Sequence, residues 1–251
     1  MVAGLSGRRV IRGTFVAAPH PLDNPLWASL TGPHARFAEL KGSAARYAPD
    51  VSPFAAIADD GDRSAWDDVA SLAGPGATVP VVSAPVPPPA DWEVVMRLPG
   101  VQLVDVGMAS APDPEAVVLG PADVPEMLDL VARTKPGPFL PRTVELGGYL
   151  GIRVNGALIA MAGQRMNPPG WTEISAVCTD DAYRGRGLGT RLVRAVAAGI
   201  RARGETPFLH AAETNTNAIR LYLALGFTVR RAVSFDLTRV PGGDGPAARP
   251  W

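Results

Sequence analysis

The run Val177-Cys178-Thr179-Asp180-Asp181-Ala182-Tyr183-Arg184-Gly185-Arg186-Gly187-Leu188-Gly189 reads as the end of a strand, a glycine-rich turn and the start of a helix. Downstream, Leu188, Leu192, Val196 and Ile200 recur at helical spacing and mark the face that packs inward. Glycines at 185, 187 and 189 let the backbone turn tightly and come close to a ligand without side chains intervening. The first N–H groups of such a helix have no partner within it, and the helix dipole favours an anion there. With Arg184 and Arg186 adding positive charge, a pyrophosphate is the natural occupant.

Two other phosphate loops fail on residue identity. A Walker loop needs Gly-Lys-Ser/Thr, which is absent, and a dinucleotide fingerprint needs glycine where the chain has Thr190. A nucleotide-dependent oxidoreductase is therefore set aside. The pattern Arg184-x-x-Gly187-x-Gly189 instead resembles the pyrophosphate loop of the GNAT superfamily, whose members bind coenzyme A. A second run, Asn217-Ala218-Ile219-Arg220-Leu221-Tyr222-Leu223-Ala224-Leu225-Gly226-Phe227, is similar to the other signature of that superfamily and follows the first with one strand between. The resemblance spans Trp171 through Phe235, extends more weakly back to Glu115, and is closest to the branch that includes glycine N-acyltransferase-like proteins.

The resemblance implies an α/β (α+β) GNAT fold, a mixed and mostly antiparallel sheet flanked by helices. It also implies acetyl-CoA as cosubstrate, with no metal, and acyl transfer to a primary amine of a small molecule, amino acid or peptide. The other reading it leaves open is a coenzyme A-binding module without transferase activity. Backbone groups of Val177, Cys178 and Thr179 are expected beside the pantetheine arm, and Arg184, Gly185, Arg186, Gly187, Leu188, Gly189 and Thr190 around the pyrophosphate. Tyr222 is expected near the sulfur as general acid, or as a half-buried aromatic closing the helix against the sheet. A phenol of pKa near ~10 supports a thiolate by hydrogen bonding, with or without full proton transfer. Glu173 is the expected general base, for which it needs a raised pKa or a bridging water. It reads equally as an ion-paired glutamate. Asn217 is a helix cap or a cofactor hydrogen-bonder, with Thr214 and Asn215 competing for the cap. For the acceptor, the resemblance places substrate contacts at the loop Lys135 to Phe139, with Arg142, which suits a small carboxylated amine or no ligand at all. Trp171 lines that pocket or caps its strand.

Composition narrows the classes further. The 251 residues carry 24 basic and 24 acidic side chains, so no basic face for nucleic acid is supplied. One cysteine, Cys178, excludes an internal disulfide, and a lone strand cysteine is usually a small packing residue. His20, His34 and His210 are too scattered for a histidine-rich metal site. Apolar runs are short and broken, far below the ~20 residues of a membrane span. Arg8, Arg9 and Arg12 precede no sustained apolar stretch, so no signal peptide is expected and the cytoplasm is the default compartment.

The organisation expected is residues 1–110 as an N-terminal α/β region, 111–240 as the catalytic domain and 241–251 as a disordered tail. The coarse βα order of the first region is compatible with a degenerate second copy of the same fold. After a loose leader over residues 1–22, a helix is expected over Pro25–Leu40, a strand over Val51–Ala58, a helix over Ser64–Leu72 and a strand over Thr78–Val82. The proline-rich stretch to residue 90 then reads as an extended linker. Trp92–Leu98 and Val101–Val106 read as two strands joined by a turn at Pro99-Gly100. Further on, Ala116–Leu119 is a strand, Asp123–Thr134 a helix, and Asn155-Gly156 turns a hairpin of Gly148–Val154 with Ala157–Gln164. Trp171–Thr179, Pro207–Ala211 and Phe227–Leu237 are strands; Gly187–Arg203 and Asn217–Leu225 are helices.

Overall fold

A computed structural model of the chain describes residues 20–242. Most of the expected leader and tail lies outside the described residues.

The first helix, α1 (Pro25–Leu30), starts on Pro25, with the Asn24 side chain accepting from the Trp27 N–H. It does not run on to Leu40 as expected. Gly32-Pro33 stops it, because proline lacks an N–H and disfavours helical backbone at the residue before it. The chain passes through a short 3-10 turn into β1 (Ala38–Lys41), β2 (Ala44–Tyr47) and β3 (Ala55–Ile57), the last shorter than the strand expected over Val51–Ala58. Helix α2 (Ala65–Ala73) and β4 (Thr78–Val82) follow, then β5 (Glu93–Asp105). β5 is one continuous strand where two were expected. Pro99 and Gly100 sit inside it, opposite Ser234 and Val233, rather than in a turn. A Cβ on Gly100 would lie 2.8 Å from the Ala211 carbonyl oxygen, so glycine there lets a neighbouring strand approach.

The remainder follows the sequence reading closely. β6 (Val117–Leu119), α3 (Val124–Thr134), β7 (Tyr149–Val154), β8 (Ala157–Gln164) and β9 (Trp171–Thr179) lead to α4 (Leu188–Ala202). β10 (Thr206–Ala212), α5 (Thr216–Leu225) and β11 (Phe227–Arg239) complete the described chain. The hairpin turn predicted at Asn155-Gly156 is present, both residues having positive φ as a type I′ turn demands. Leu188, Leu192, Val196 and Ile200 are all buried.

All strands join in one sheet, ordered β1-β2-β3-β4-β11-β5-β10-β9-β8-β7-β6. The pairing senses run antiparallel, antiparallel, parallel, antiparallel from β1 to β11, and the same from β7 to β5. In each series a helix, α2 or α4, links the parallel pair. The last strand of each series crosses over. β5 pairs with β10, β11 pairs with β4, and β5 and β11 pair with each other along most of their length. Residues on either side of position 110 thus share one sheet.

One face of the sheet carries α4 and α5 over Leu103, Ile159, Ala160, Leu209 and Phe227. The other is covered from the N-terminal side by Leu22, Leu26, Leu30, Tyr47 and Phe54, packed on Leu146, Met166, Phe208 and Phe235. A polar seam crosses this second core. His34 Nε2 lies 3.1 Å from the Leu146 carbonyl and Nδ1 lies 2.9 Å from the Tyr47 hydroxyl. A carbonyl only accepts, so Nε2 carries the proton and donates, and Nδ1 accepts from Tyr47.

Burial pushes the His34 pKa down from 6.5 to about 4, against the raising effect of the Leu146 hydrogen bond. Above pH 6.5 the ring is neutral in folded and unfolded chains alike, and its contribution to stability is fully present. As pH falls towards 4 the unfolded chain takes up the proton and the folded chain does not, so stability is lost progressively, by up to roughly 3 kcal/mol. In urea titrations at stepped pH, the wild type should lose this increment between pH 6.5 and 4, whereas His34→Gln should be flatter through the same window.

Candidate active site

β9 and β10 run parallel but pair only over Trp171–Glu173 and Thr206–Phe208. Past that point they separate. Ala176 has φ +53, and the β8–β9 register shifts beside it, with Ser175 opposite Gly163 and Cys178 opposite Met161. A non-glycine residue in the left-handed region costs on the order of 1–3 kcal/mol and persists where the surroundings demand it. The bulge and the divergence together open a cavity of about 350 Å³. Ile174, Ser175, Ala176 and Val177 line one side and His210, Ala211 and Ala212 the other, with Tyr222 of α5 among the walls.

Beyond the end of β9 lies the glycine turn. Gly185 and Gly187 have φ +76 and +74, which explains glycine there, and a Cβ on either would meet nothing within 4 Å. The space above the turn is therefore open. Gly187 caps α4 without any side-chain hydrogen bond, leaving the first N–H groups of the helix for a ligand. Arg184 and Arg186 are exposed beside it. Arg184 pairs with Asp181 at 2.7 Å and reaches the Thr179 carbonyl at 3.4 Å, and Arg186 lies over the Tyr183 ring at 4.9 Å. Leu188 is buried beneath the turn, while Gly189 and Thr190 are half-buried in its first helical turn. These features fit a pyrophosphate and a pantetheine arm led along the open edge of β9.

At the other end of the slot, Asn215 rather than Asn217 caps α5, its side chain accepting from the Ala218 N–H at 3.2 Å. Asn217 is exposed in the first turn and does not line the cavity. Tyr222 is largely buried, and burial pushes its phenol up to about 12. Cys178 points away into a core with Met127, Leu130, Phe139, Tyr149 and Met161. Burial raises its thiol pKa as well, which suits packing rather than nucleophilic chemistry.

Glu173 departs from the expected base. It is 1% exposed and bound by Arg165 through two hydrogen bonds, 2.6 and 2.8 Å, and by His210 Nδ1 at 2.8 Å. Burial pushes its pKa up, but the Arg165 charge and the hydrogen bonds outweigh that and hold the carboxyl well below the usual range. A base working near neutrality needs the opposite. His210 Nδ1 must donate to the carboxylate, and Nε2 accepts from the Gln102 amide at 3.2 Å. That amide is itself oriented, because Arg230 donates to its oxygen at 3.0 Å.

The acceptor residues expected from sequence divide. Lys135, Pro136, Gly137 and Pro138 line the cavity; Phe139, Arg142 and Trp171 do not. Phe139 packs edge-on against Tyr149 at 5.5 Å. Arg142 is taken up by Glu145 and Asp50, so it offers no free cation to a carboxylated amine. Trp171 sits at the far end of β9, tilted against His20 at 5.5 Å. Sequence reading missed Arg165, His210, Phe54, Leu98 and Phe235, all cavity-lining. One signal was present for the ion pair. Arg165 and Glu173 flank Pro168-Pro169-Gly170 symmetrically, so a hairpin centred there sets them opposite one another, and the Arg165 N–H does bond the Glu173 carbonyl at 3.2 Å.

Comparison with known proteins shows the family. Residues 149–235 match the family described as FR47-like protein. A crystal structure from Novosphingobium aromaticivorans, described as of the GNAT family, superposes with a TM-score of 0.81 at 43% identity, over 90% of this chain and 100% of that one. The chain belongs to the GNAT family of acetyltransferases. A curated relative, N-alpha-acetyltransferase RimI of Mycobacterium tuberculosis, is 36% identical over 104 residues, which is 40% of this chain and 64% of that protein. A GCN5-related N-acetyltransferase from Kribbella flavida shares the fold, with a TM-score of 0.53 at 17% identity over 87% of this chain and 96% of that one.

Removing one partner of a buried ion pair leaves the other charge uncompensated, at a cost of roughly 3–5 kcal/mol. Glu173→Gln should therefore lose stability on that scale in denaturant unfolding. The double variant Glu173→Gln/Arg165→Met should recover part of the loss.

Proposed function

We propose that this protein is an N-acetyltransferase that moves the acetyl group of acetyl-CoA to a primary amine, with the α-amine of a peptide as the acceptor. The observation that carries this reading is the slot between β9 and β10, lined by Val177 and Tyr222, with the open glycine turn lying past the end of β9. The relative named N-alpha-acetyltransferase supports the acceptor.

Bound acetyl-CoA supplies the thioester whose C–S bond breaks as the N–C bond to the amine forms. The protein's residues do the rest. The glycine turn and the N-terminus of α4 hold the pyrophosphate, with Arg184 and Arg186 alongside. The freed edge of β9 at Val177 through Thr179 orients the pantetheine amides as a neighbouring strand would. Tyr222, with its pKa raised, stays protonated at neutral pH and donates a hydrogen bond to sulfur as negative charge develops there.

Glu173 acts in this scheme as a positioning residue. It fixes the His210 ring and balances Arg165 at the cavity floor. The proton of the amine then leaves to water, which bears on the acceptor. An α-amino group has a pKa of about 7.7–8.0 and is substantially neutral near pH 7.5, whereas a lysine amine at about 10.4 is almost wholly charged. Without a strong base, α-amines are the better nucleophiles. The alternative of coenzyme A binding without turnover draws on the same locked state of Glu173 and His210.

Calorimetric titration with acetyl-CoA should show binding that Gly187→Glu abolishes, since the added carboxylate meets the pyrophosphate site. Absence of binding by the wild type would remove the reading. Tyr222→Phe should keep cofactor affinity and lose on the order of 10²-fold in kcat; binding without acetylation of any peptide would favour the non-catalytic alternative. The pH profile offers a separate check. For a peptide acceptor, log kcat/KM should rise with unit slope up to the pKa of the acceptor amine and show no inflection from Glu173.

A further inference from the structure

Along β10, Phe208 faces the core covered by the N-terminal half, while Leu209 and Ala211 face α4 and α5. His210, following the same alternation, turns to the N-terminal side, where its ring meets Phe208 and Phe235 edge-on, both at 5.6 Å. The cavity therefore passes through the sheet. Tyr222 stands with the helices, and on the opposite face the wall is Phe54, Leu98 and Phe235 with Arg165 and His210. Phe54 precedes β3, Leu98 lies on the crossed-over β5, and Phe235 lies on β11 between β4 and β5.

The floor of this end is apolar and its buried charges balance, while Lys135, which also lines the cavity, is exposed. Arg165 is satisfied by Glu173, and its guanidinium stacks over the Phe54 ring at 5.0 Å. Phe54 in turn meets Phe235 at 5.9 Å. A charged substituent entering here would be desolvated without a partner, whereas an uncharged apolar one would gain contact with Phe54, Leu98 and Phe235. Size is limited too, since the cavity of about 350 Å³ includes the space beside Tyr222.

Among the described residues, the N-terminal half has no matching glycine turn beside its parallel strand pair. Where the C-terminal series has its glycine turn, the link from β3 to α2 carries Asp59, Asp60 and Asp62, which repel a pyrophosphate. The space beside β4 is filled by Trp66 and Trp92, ring centroids 4.8 Å apart, with Trp66 Nε1 donating to the Val86 carbonyl at 3.3 Å.

We propose that the N-terminal half serves as the acceptor-selecting wall, with Phe54 and Leu98, joined by Phe235, seating a small uncharged side chain next to the reacting α-amine. This rests on the N-acetyltransferase reading above. The test is acetylation of hexapeptides differing only in their first residue, Ala, Val, Phe, Asp or Arg, by the full chain and by Phe54→Ala, Phe54→Leu and Leu98→Ala, followed through thiol release. The wild type should favour Ala and Val over Phe, Asp and Arg by at least tenfold in kcat/KM. Phe54→Ala should raise the Phe-to-Ala ratio at least tenfold with the KM for acetyl-CoA unchanged, and Leu98→Ala should shift it the same way by less. Should Phe54→Ala not fold, Phe54→Leu and Leu98→Ala read the same ratio. Active variants with unaltered ratios, or a wild type that prefers Asp or Arg, overturn the wall and leave the acetyltransferase reading intact. A wild type that binds acetyl-CoA but acetylates none of the peptides overturns the peptide-acceptor reading, and the wall with it.

Discussion

The hydrogen-bonded pairing of β9 with β10 ends at Glu173 and Phe208, and the site is built on that ending. Adjacent parallel strands normally stay paired, because an unpaired backbone N–H or carbonyl withheld from water is costly. Here the strands are held apart by what packs on them. α4 and α5 cover one face, the N-terminal residues cover the other, and the bulge at Ala176 turns the end of β9 aside. The backbone groups so released face an open slot, where amides of a bound ligand can replace the missing strand. A glycine turn at the end of the same strand then stands where that ligand's phosphates would lie.

Opening a sheet in this way exposes its interior to charge, and the protein answers with a closed polar network. Arg165, Glu173, His210, Gln102 and Arg230 form a continuous chain of hydrogen bonds from the cavity floor to Asp23 at the surface. Glu173, His210 and Gln102 each find partners within it, so the network tolerates burial, in keeping with the rule that half-satisfied networks are the costly ones. Within it the Arg165 charge holds the Glu173 carboxyl well below the raised range that a base near neutrality needs. At the floor of the cavity the charges of Arg165 and Glu173 balance one another.

The crossing of β5 and β11 binds the two halves more tightly than a boundary near residue 110 suggests. β5 lies between β10 and β11, so the wall beside the slot contains strands from both ends of the chain. Each half completes the other's sheet. The repeated order of strand senses on the two sides, with α2 and α4 in matching places, is what a degenerate second copy of the fold would show. The acidic β3–α2 link and the paired tryptophans Trp66 and Trp92 separate the two sides chemically.

How much of this could be read beforehand follows from the range of each interaction. Helical periodicity, the Asn155-Gly156 turn and the glycines before α4 are local, so the C-terminal elements were legible. Pro99-Gly100 misled, since a sequence that usually turns was held extended between two strands. Asn217 and Asn215 compete within one turn, and only the backbone angles decide between them. The environment of Glu173 depended on Arg165, eight residues away across a hairpin, and on His210 from another strand. Leu98 reaches the cavity because β5 crosses into the other half, and Phe54, just before β3, is brought there from far along the chain. By itself the sequence determined the family, the glycine turn before α4 and the place of Tyr222 on α5, because these rest on neighbours along the chain. Tertiary structure alone decided that Glu173 is locked as a carboxylate and that Phe54 and Leu98 line the cavity, because charge balance and strand exchange depend on residues that only folding brings together.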